Sequence, residues 1–269
     1  MSLLRIALRF LLPFVACAAA GALPARAQSG EPGCRPEMAS LSLPIRRVQL
    51  AKDEVRLSFV GHATFLIETP GGVTIATDYN DYLRPPVTPD IATMNKAHST
   101  HNSRHPDAAI KHVLPGWDPS GRGAAKHDLT VGDVRVRNVP TNIRNFDGGT
   151  DFDGNSIFVF EIGELCIAHL GHLHHPLEPG HLRALGRIDI VLFPVDGSYT
   201  LDQSGMLEVL RSIQARVMIP MHFFGGGTLE RFLARSEGLW PVERRGEATI
   251  TLGKAALPAR PTMIVLPGH

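Results

Sequence analysis

The sequence predicts an α+β fold in which two β-sheets stack face to face with helices outside them, a four-layer αββα sandwich. Up to about residue 169, short apolar runs are separated by turn residues, as in antiparallel strands. Beyond residue 179, apolar strands alternate with segments of helical periodicity. With 269 residues, 43% hydrophobic and 20% charged, the chain is long enough for one large domain.

Residues 1–27 have the composition of a secretory signal peptide. Arg5 and Arg9 supply positive charge, an apolar run follows, and Ala25-Arg26-Ala27 fits a small-x-small cleavage site. The alternative is a lipoprotein signal that ends at Cys17. Both interpretations predict an exported protein, periplasmic or secreted, that meets a membrane only through its signal peptide or a lipid anchor.

Residues 28–53 contain many Pro, Gly and Ser residues and predict a linker or surface strap, which leaves the folded domain at 54–269. Its first part predicts three strands at 55–59, 63–68 and 73–78, with a turn at Pro70-Gly71-Gly72 between the last two.

The middle of the chain predicts loops, a short helix and two hairpins. Residues 79–95 contain three prolines and predict a loop, and Pro106 predicts the start of a short helix over about 106–112. Strands on both sides of Val131-Gly132-Asp133 precede a long polar loop at 140–155. A further hairpin turns at Gly163-Glu164.

The last part of the chain alternates between the two element types. Helices are predicted at 180–185, 203–213 and 228–236, and strands at 189–194, 217–220, 249–252 and 263–266.

Four of the thirteen histidines lie within seven residues, in the segment His169-Leu170-Gly171-His172-Leu173-His174-His175. They follow an apolar run that predicts a buried strand. Burying imidazoles costs free energy unless they bind something, and the usual partner is a transition metal. The alternative is that one or two of them bond to the backbone at the edge of the core while the others face water.

Other residue types that bind metals or protons also follow predicted apolar strands, where rigid strands can direct them into one cleft. They are Asp78, His98, His101, Asn142, Asp196 and His222. His98 is assigned to a strand, on which it would point away from its neighbour.

Other functional classes have less support. The net charge is +1 and no Lys/Arg run stands out, which argues against nucleic acid as a partner. The chain has no Gly-x-Ser-x-Gly nucleophile elbow and no phosphate-binding glycine loop. The partner that remains is a small-molecule substrate, and no segment predicts its identity or an oligomeric state.

An ordered set of motifs resembles the metallo-β-lactamase-fold hydrolases. The branch looks closest to the relatives of ascorbate-6-phosphate lactonase and N-acyl-phosphatidylethanolamine phospholipase D. The resemblance spans about Val55 to the C-terminus. It rests on Gly61-His62-Ala63-Thr64-Phe65-Leu66-Ile67-Glu68, the strand ending at Asp78, the loop at His101, His169-Leu170-Gly171-His172, Pro194-Val195-Asp196-Gly197-Ser198-Tyr199-Thr200 and Pro220-Met221-His222.

The chain departs from the family's metal-ligand motifs. Placed on His101, the family's His-x-His-x-Asp-His signature finds Ser103, His105 and Pro106 at its later positions. Asn142 or a neighbour stands where the family has its next histidine. His172 stands where the family has a carboxylate that bridges two metals.

Two interpretations follow. In the first, the site is altered and holds one divalent metal, Zn²⁺ with iron or manganese as alternatives, because neutral histidine bridges two metals less well than a carboxylate does. Its ligands would be His101, His172 and His222, with His105 or His169. In the second, the site is degenerate and the protein is a non-catalytic metal- or ligand-binding protein on the same fold.

The first interpretation implies a hydrolase. Three neutral imidazoles favour an acidic metal-bound water, with a pKa of about 7 in zinc sites of this kind. The resulting hydroxide would attack an ester, lactone, amide or phosphodiester. Asp78 or Asp196 would orient a ligand histidine or accept a proton from the water.

Overall fold

The computed structural model describes residues 49–145 and 147–268. The expected signal peptide, Cys17 and most of the expected linker lie outside the described residues.

Six strands form the first sheet, in the spatial order β13-β1-β2-β3-β4-β5. The pairs from β13 to β3 are antiparallel, and the β3–β4 and β4–β5 pairs are parallel. The strands are β1 (Glu54–Gly61), β2 (Thr64–Glu68), β3 (Thr74–Ala76), β4 (Ile91–Met94), β5 (His112–Pro115) and β13 (Thr249–Gly253).

Eight strands form the second sheet, in the order β12-β14-β11-β10-β9-β8-β7-β6. It is parallel from β12 to β9 and antiparallel from β9 to β6. The strands are β6 (Asp128–Val131), β7 (Val134–Arg144), β8 (Thr150–Ile162), β9 (Leu165–His169), β10 (Ile190–Pro194), β11 (Val217–Met221), β12 (Val242–Arg244) and β14 (Thr262–Val265).

The main core lies between the two sheets. Strand β1 buries every second residue, as its alternating sequence predicts, and thereby directs Val55, Leu57 and Phe59 into this core. Phe158 and Phe160 enter the same core from the second sheet. Each such side chain stabilises the fold by about 1.5–3 kcal/mol relative to an exposed position. This core holds the two sheets, and therefore their loop-bearing ends, in a fixed relation.

Three α-helices pack on the outer face of the eight-stranded sheet: α1 (Pro179–Leu185), α2 (Gln203–Ile213) and α3 (Gly226–Arg235). A 3₁₀-helix spans Lys254–Ala256. Helix α2 begins where Asp202 accepts hydrogen bonds from the backbone N–H groups of Ser204 and Gly205. Among the residues that the structure describes, no helix has the length and hydropathy needed to cross a membrane.

The α+β sandwich is confirmed, with one refinement in its layers. Every α-helix in residues 49–145 and 147–268 lies on the eight-stranded sheet. The outer face of the six-stranded sheet instead carries a smaller cluster that includes Tyr79, Ile110 and Trp117. Loop residues therefore occupy the place of the fourth layer.

Three local predictions were wrong. The segment predicted as a helix at 106–112 forms a turn up to residue 111, and His112 begins β5. The Asp107 side chain accepts from the N–H of Ala109, and its carbonyl accepts from the N–H of Ile110. The expected loop at 79–95 contains strand β4. The expected polar loop at 140–155 is instead the outer part of the β7–β8 ladder, which pairs out to Arg144 and Thr150. Ladder hydrogen bonds are made by the backbone and do not require apolar side chains.

Gly171 provides a test of how tightly the end of β9 is packed. Its φ is +59°, and a Cβ there would overlap the side-chain amides of Asn95 and Asn155. We expect Gly171→Ala to lower the free energy of unfolding by about 2–4 kcal/mol, the sum of backbone strain and overpacking. Urea denaturation measures this change.

The matched control is Gly121→Ala. Gly121 also has a positive φ, +67°, but no atom lies within 4 Å of the added Cβ. It should cost only the backbone strain, about 1 kcal/mol. Equal losses of unfolding free energy in the two variants would show that the side chains of Asn95 and Asn155 can move aside without an energetic penalty.

Candidate metal centre

Four imidazoles converge at one edge of the sandwich. His98, His101, His172 and His222 each offer a ring nitrogen within 4.8 Å of the others. The Nε2 atoms of His98 and His172 are 2.9 Å apart, and those of His101 and His222 are 3.0 Å apart. His98 is half-buried and the other three are buried. The expected ligands His101, His172 and His222 are thus brought together, and His98 joins them.

Both sheets contribute to this cluster through the carboxyl ends of their strands. His98 and His101 lie in the loop after β4 of the first sheet. His172 follows β9 and His222 follows β11, both in the parallel part of the second sheet. His222 has a φ of +57°, and its backbone N–H donates to the carbonyl of His62 at 2.7 Å, which fixes the backbone of His222 where the strand ends.

The outward nitrogens of two of these rings face carboxylates. Nδ1 of His101 lies 2.5 Å from Oδ2 of Asp78. Nδ1 of His222 lies 3.0 Å from Oδ1 of Asp196, but the two atoms are not aligned as a hydrogen bond. An ionised carboxylate only accepts, so each Nδ1 carries the proton and each Nε2 presents a lone pair to the cluster.

Neutral groups hold the outward nitrogens of the other two rings. Nδ1 of His172 lies 2.7 Å from Nε2 of His174, and Nδ1 of His98 lies 2.8 Å from Oγ1 of Thr100. Three rings of the cluster are therefore hydrogen-bonded from outside through Nδ1, and Nδ1 of His222 faces a carboxylate, which leaves the four Nε2 atoms to face inward.

This arrangement fits a divalent metal. Two lone pairs 3.0 Å apart repel each other unless a cation or a proton lies between them. Burial, followed by the charges of neighbouring histidines, lowers the pKa of His101 and of His172 well below the usual value, which disfavours the proton. Four imidazole nitrogens suit zinc, iron, nickel or copper.

Asp78 is fully buried, and both of its carboxylate oxygens are occupied. Oδ2 faces His101, and Oδ1 accepts from Nδ2 of Asn95 at 2.9 Å. Burial raises its pKa to about 6. With no oxygen left over, Asp78 is placed to orient His101 rather than to take a proton from water.

Asp196 is similarly committed. Oδ2 accepts from the N–H groups of Ser198 and Tyr199, and Oδ1 accepts from Oγ1 of Thr200 at 2.5 Å while it faces His222. Burial alone would raise its pKa, but His222 and the donors of this turn outweigh burial and hold the pKa well below its usual value. Asp196 therefore stays ionised beside His222.

Two residues proposed as further ligands lie outside the cluster. Both ring nitrogens of His169 have partners in the core, the carbonyl of Ala63 at 2.8 Å and the N–H of Gly171 at 3.2 Å. His105 is exposed in the loop, where its N–H donates to Ser103. His169 is a hydrogen-bonded core histidine and has no nitrogen left for a metal.

His98 was not among the predicted ligands, because the sequence placed it on a strand and the family signature was started at His101. Strand β4 ends at Met94, and the chain then turns. If the His-x-His-x-Asp-His signature starts at Lys96, its second and third histidines fall on His98 and His101. Lys96 and Thr100 then occupy the positions of the first histidine and the aspartate. This register was available from the sequence.

The replaced residues do not reach the centre as ligands. Nζ of Lys96 lies 2.7 Å from Asp151 in an ion pair. Oδ1 of Asn142 accepts from the N–H of Asp153 at 3.1 Å. Thr100 lies beside the cluster and contacts the outer side of His98. The altered positions thus leave one compact group of four nitrogens.

A cavity of about 840 Å³ lies beside the turn formed by residues 196–202. Its lining is mainly polar and includes Asn142, Arg144, His174, His181 and Ser198. His174 belongs both to this lining and to the outer support of His172. The ring of His174 thus connects the cavity to the metal centre.

The lowered histidine pKa values predict acid lability of the metal-free protein. Burial lowers the pKa of His98, His101 and His172, and lowers that of His62 to about 3. Below the unfolded value of about 6.5, the unfolded chain therefore binds more protons than the folded one, and stability falls as pH falls. Asp78 has the opposite effect on stability, because its raised pKa lets the folded protein bind one extra proton below about pH 6.

We expect the Tm of the metal-free protein to fall between about pH 6.5 and 4, as measured by calorimetry in chelator. The same titration with metal present should start from a higher Tm, because the ion binds only the folded state. A Tm that is constant over this window without metal would mean that these imidazoles are protonated in the folded state.

Comparisons with known proteins identify the family. The family model for the beta-lactamase superfamily domain matches residues 56–222. A UPF0173 metal-dependent hydrolase of Methanoculleus marisnigri is 27% identical over 217 residues, which are 76% of this chain and 93% of that protein.

Solved structures show the same fold. A metallo-beta-lactamase superfamily protein of Thermotoga maritima superimposes with a TM-score of 0.60 at 28% identity, over 80% of this chain and 100% of that one. CmlA, a diiron beta-hydroxylase of Streptomyces venezuelae, has a TM-score of 0.52 at 11% identity over 76% of this chain and 55% of its own, a likeness of fold alone. The narrower lactonase-like or phospholipase-D-like branch remains a prediction.

The match to the family model runs from β1 to the end of β11, includes strands of both sheets, and ends at His222, the last histidine of the cluster. The chain belongs to the metallo-β-lactamase fold family.

Proposed function

We propose that the protein is a hydrolase that depends on one divalent metal. The observation that carries this proposal is the convergence of four Nε2 atoms, with the Nδ1 atoms of three rings hydrogen-bonded from outside and that of His222 facing Asp196. The proposed ligands are His98, His101, His172 and His222. Relatives that are named metal-dependent hydrolases support the reaction class.

A divalent ion bound there would supply Lewis-acid activation of water and polarise the scissile bond of an ester, lactone, amide or phosphodiester. The chain's own residues keep the imidazoles neutral and aimed inward. Asp78 and Asp196 act as positioning residues through His101 and His222. The substrate is a small molecule that reaches the centre from the adjacent surface.

One ion is proposed rather than two. A second ion needs further ligands, and the positions that would supply them hold Lys96, Thr100 and Asn142. Zinc is the first choice because it accepts imidazole ligands without a preferred geometry, and iron is the alternative. Manganese, also expected from the sequence, prefers oxygen ligands and fits four imidazoles less well.

Export is part of the same proposal and rests on the sequence of residues 1–27. A periplasmic or secreted location would place the hydrolase where its substrate comes from outside the cytoplasm. Fractionation of cells that express the full chain would locate it.

Metal content tests the ligand set. Protein purified without added metal should contain about one equivalent of zinc, iron or manganese by elemental analysis. His172→Ala should lose it, because His172 contacts His98 directly within the cluster. The matched control is His105→Ala, which removes an exposed imidazole from the same region and should keep the metal. Retained metal in the His172→Ala protein would remove that residue from the ligand set.

A second candidate function is non-catalytic metal binding. Four imidazoles complete a tetrahedral shell, as in closed structural sites, whereas catalytic sites keep a position open. His98 decides between the two functions, because it is the half-buried member of the cluster and the one whose Nδ1 is held by a hydroxyl.

Cobalt substitution separates an open site from a closed one. If the protein is a hydrolase, azide should bind the Co²⁺-loaded protein and shift its visible absorption bands, because a coordination position is accessible. A spectrum that is unchanged at high azide, together with full metal occupancy, would favour the closed site and the non-catalytic function.

A further inference from the structure

Two large aromatic side chains are exposed next to the metal centre. Tyr199 is 61% exposed and Phe224 is 60% exposed. Their ring centroids are 5.7 Å apart at an interplanar angle of 69°, an edge-to-face pair. The ring of Phe224 lies 5.5 Å from that of His222 and 5.2 Å from that of His62. We call Tyr199 and Phe224 the aromatic pair.

The backbone fixes the position of this pair relative to the centre. The N–H of Tyr199 donates to Asp196, the same carboxylate that faces His222. Phe224 follows His222 by two residues, and Gly225, with a φ of +88°, then turns the chain into helix α3. Both rings are therefore tied to one cluster histidine, each through a short and separate connection.

The pair contrasts with the polar cavity beside the same turn. The cavity is lined by Asn142, Arg144 and His174, whereas the aromatic pair presents two apolar ring surfaces to solvent. Exposed apolar surface beside a reacting centre is typical of a site that binds an apolar group. Tyr82 and Phe152 are also exposed, at 69% and 75%, but have no ring contact with the cluster.

We propose that Tyr199 and Phe224 form a subsite that binds an aromatic group of the substrate, directly attached to the bond that is hydrolysed. The inference rests on the proposed function, because it places that bond at the metal. The ring centroids of Phe224 and His222 are 5.5 Å apart, about the width of one aromatic ring. An aromatic group stacked on Phe224 is therefore adjacent to the reacting atoms rather than at the end of a long chain.

Two hydroxamates test this subsite without turnover. Acetohydroxamate and benzohydroxamate carry the same metal-binding group, and only the second carries a ring. Binding of each to the metal-loaded protein is measured by isothermal titration calorimetry. We expect benzohydroxamate to bind at least about tenfold more tightly, as stacking on an aromatic pair would give.

The variants separate the ring from the metal-binding group. Phe224→Ala and Tyr199→Ala should reduce the preference for benzohydroxamate about three- to tenfold and leave acetohydroxamate binding unchanged. Tyr199→Phe should keep the preference, because the ring and not the hydroxyl makes the contact. Tyr82→Ala and Phe152→Ala are the matched controls, since they remove exposed aromatic rings elsewhere, and they should also keep it.

The possible failures differ from one another. If both hydroxamates bind with equal affinity, or if the preference survives in Phe224→Ala and Tyr199→Ala, the aromatic subsite is wrong and the metal centre stands. If neither hydroxamate binds the metal-loaded protein, the centre has no accessible coordination position. The proposed hydrolase then fails and the subsite fails with it.

Discussion

The contact on which the site depends is the one between each outward-facing Nδ1 atom and its partner. A histidine ring can rotate and can carry its proton on either nitrogen, so imidazoles placed close together do not by themselves form a ligand set. The carboxylate of Asp78 removes both freedoms from His101 through a hydrogen bond, and the negative charge of Asp196, 3.0 Å from Nδ1 of His222, favours the same tautomer there. The inward lone pairs are a consequence of these outer contacts.

These outer contacts in turn require the sandwich. Asp78 follows strand β3 of the first sheet, and Asp196 follows strand β10 of the second. The core between the sheets fixes the distance between the two carboxylates, and with it the distance between His101 and His222. The fold therefore holds the two carboxylates that contact His101 and His222, and packing far from the site determines the ligand geometry.

The architecture could be predicted from the sequence because local periodicity predicts strands and helices. Strand β1 alternates, helix α2 has its predicted bounds, and Asp78 and Asp196 were recognised at strand ends. His98 and His169 were not assigned correctly, since the direction of a side chain at a strand end depends on turns that periodicity does not encode. His169 has the same sequence neighbourhood as His172, yet it points to the carbonyl of Ala63 in the β1–β2 turn, more than 100 residues away.

The altered ligands also change where negative charge resides. The family's aspartate and its bridging carboxylate would place charge in contact with the metal, whereas Thr100 and His172 at those positions are neutral. Asp78 and Asp196 carry two negative charges one ring further out, enough to balance a single divalent ion. Because burial raises the pKa of Asp78 to about 6, an ion nearby would favour its charged form. Metal uptake at mildly acid pH should therefore release a proton from Asp78, and the charge balance of the centre is completed only when the ion is bound.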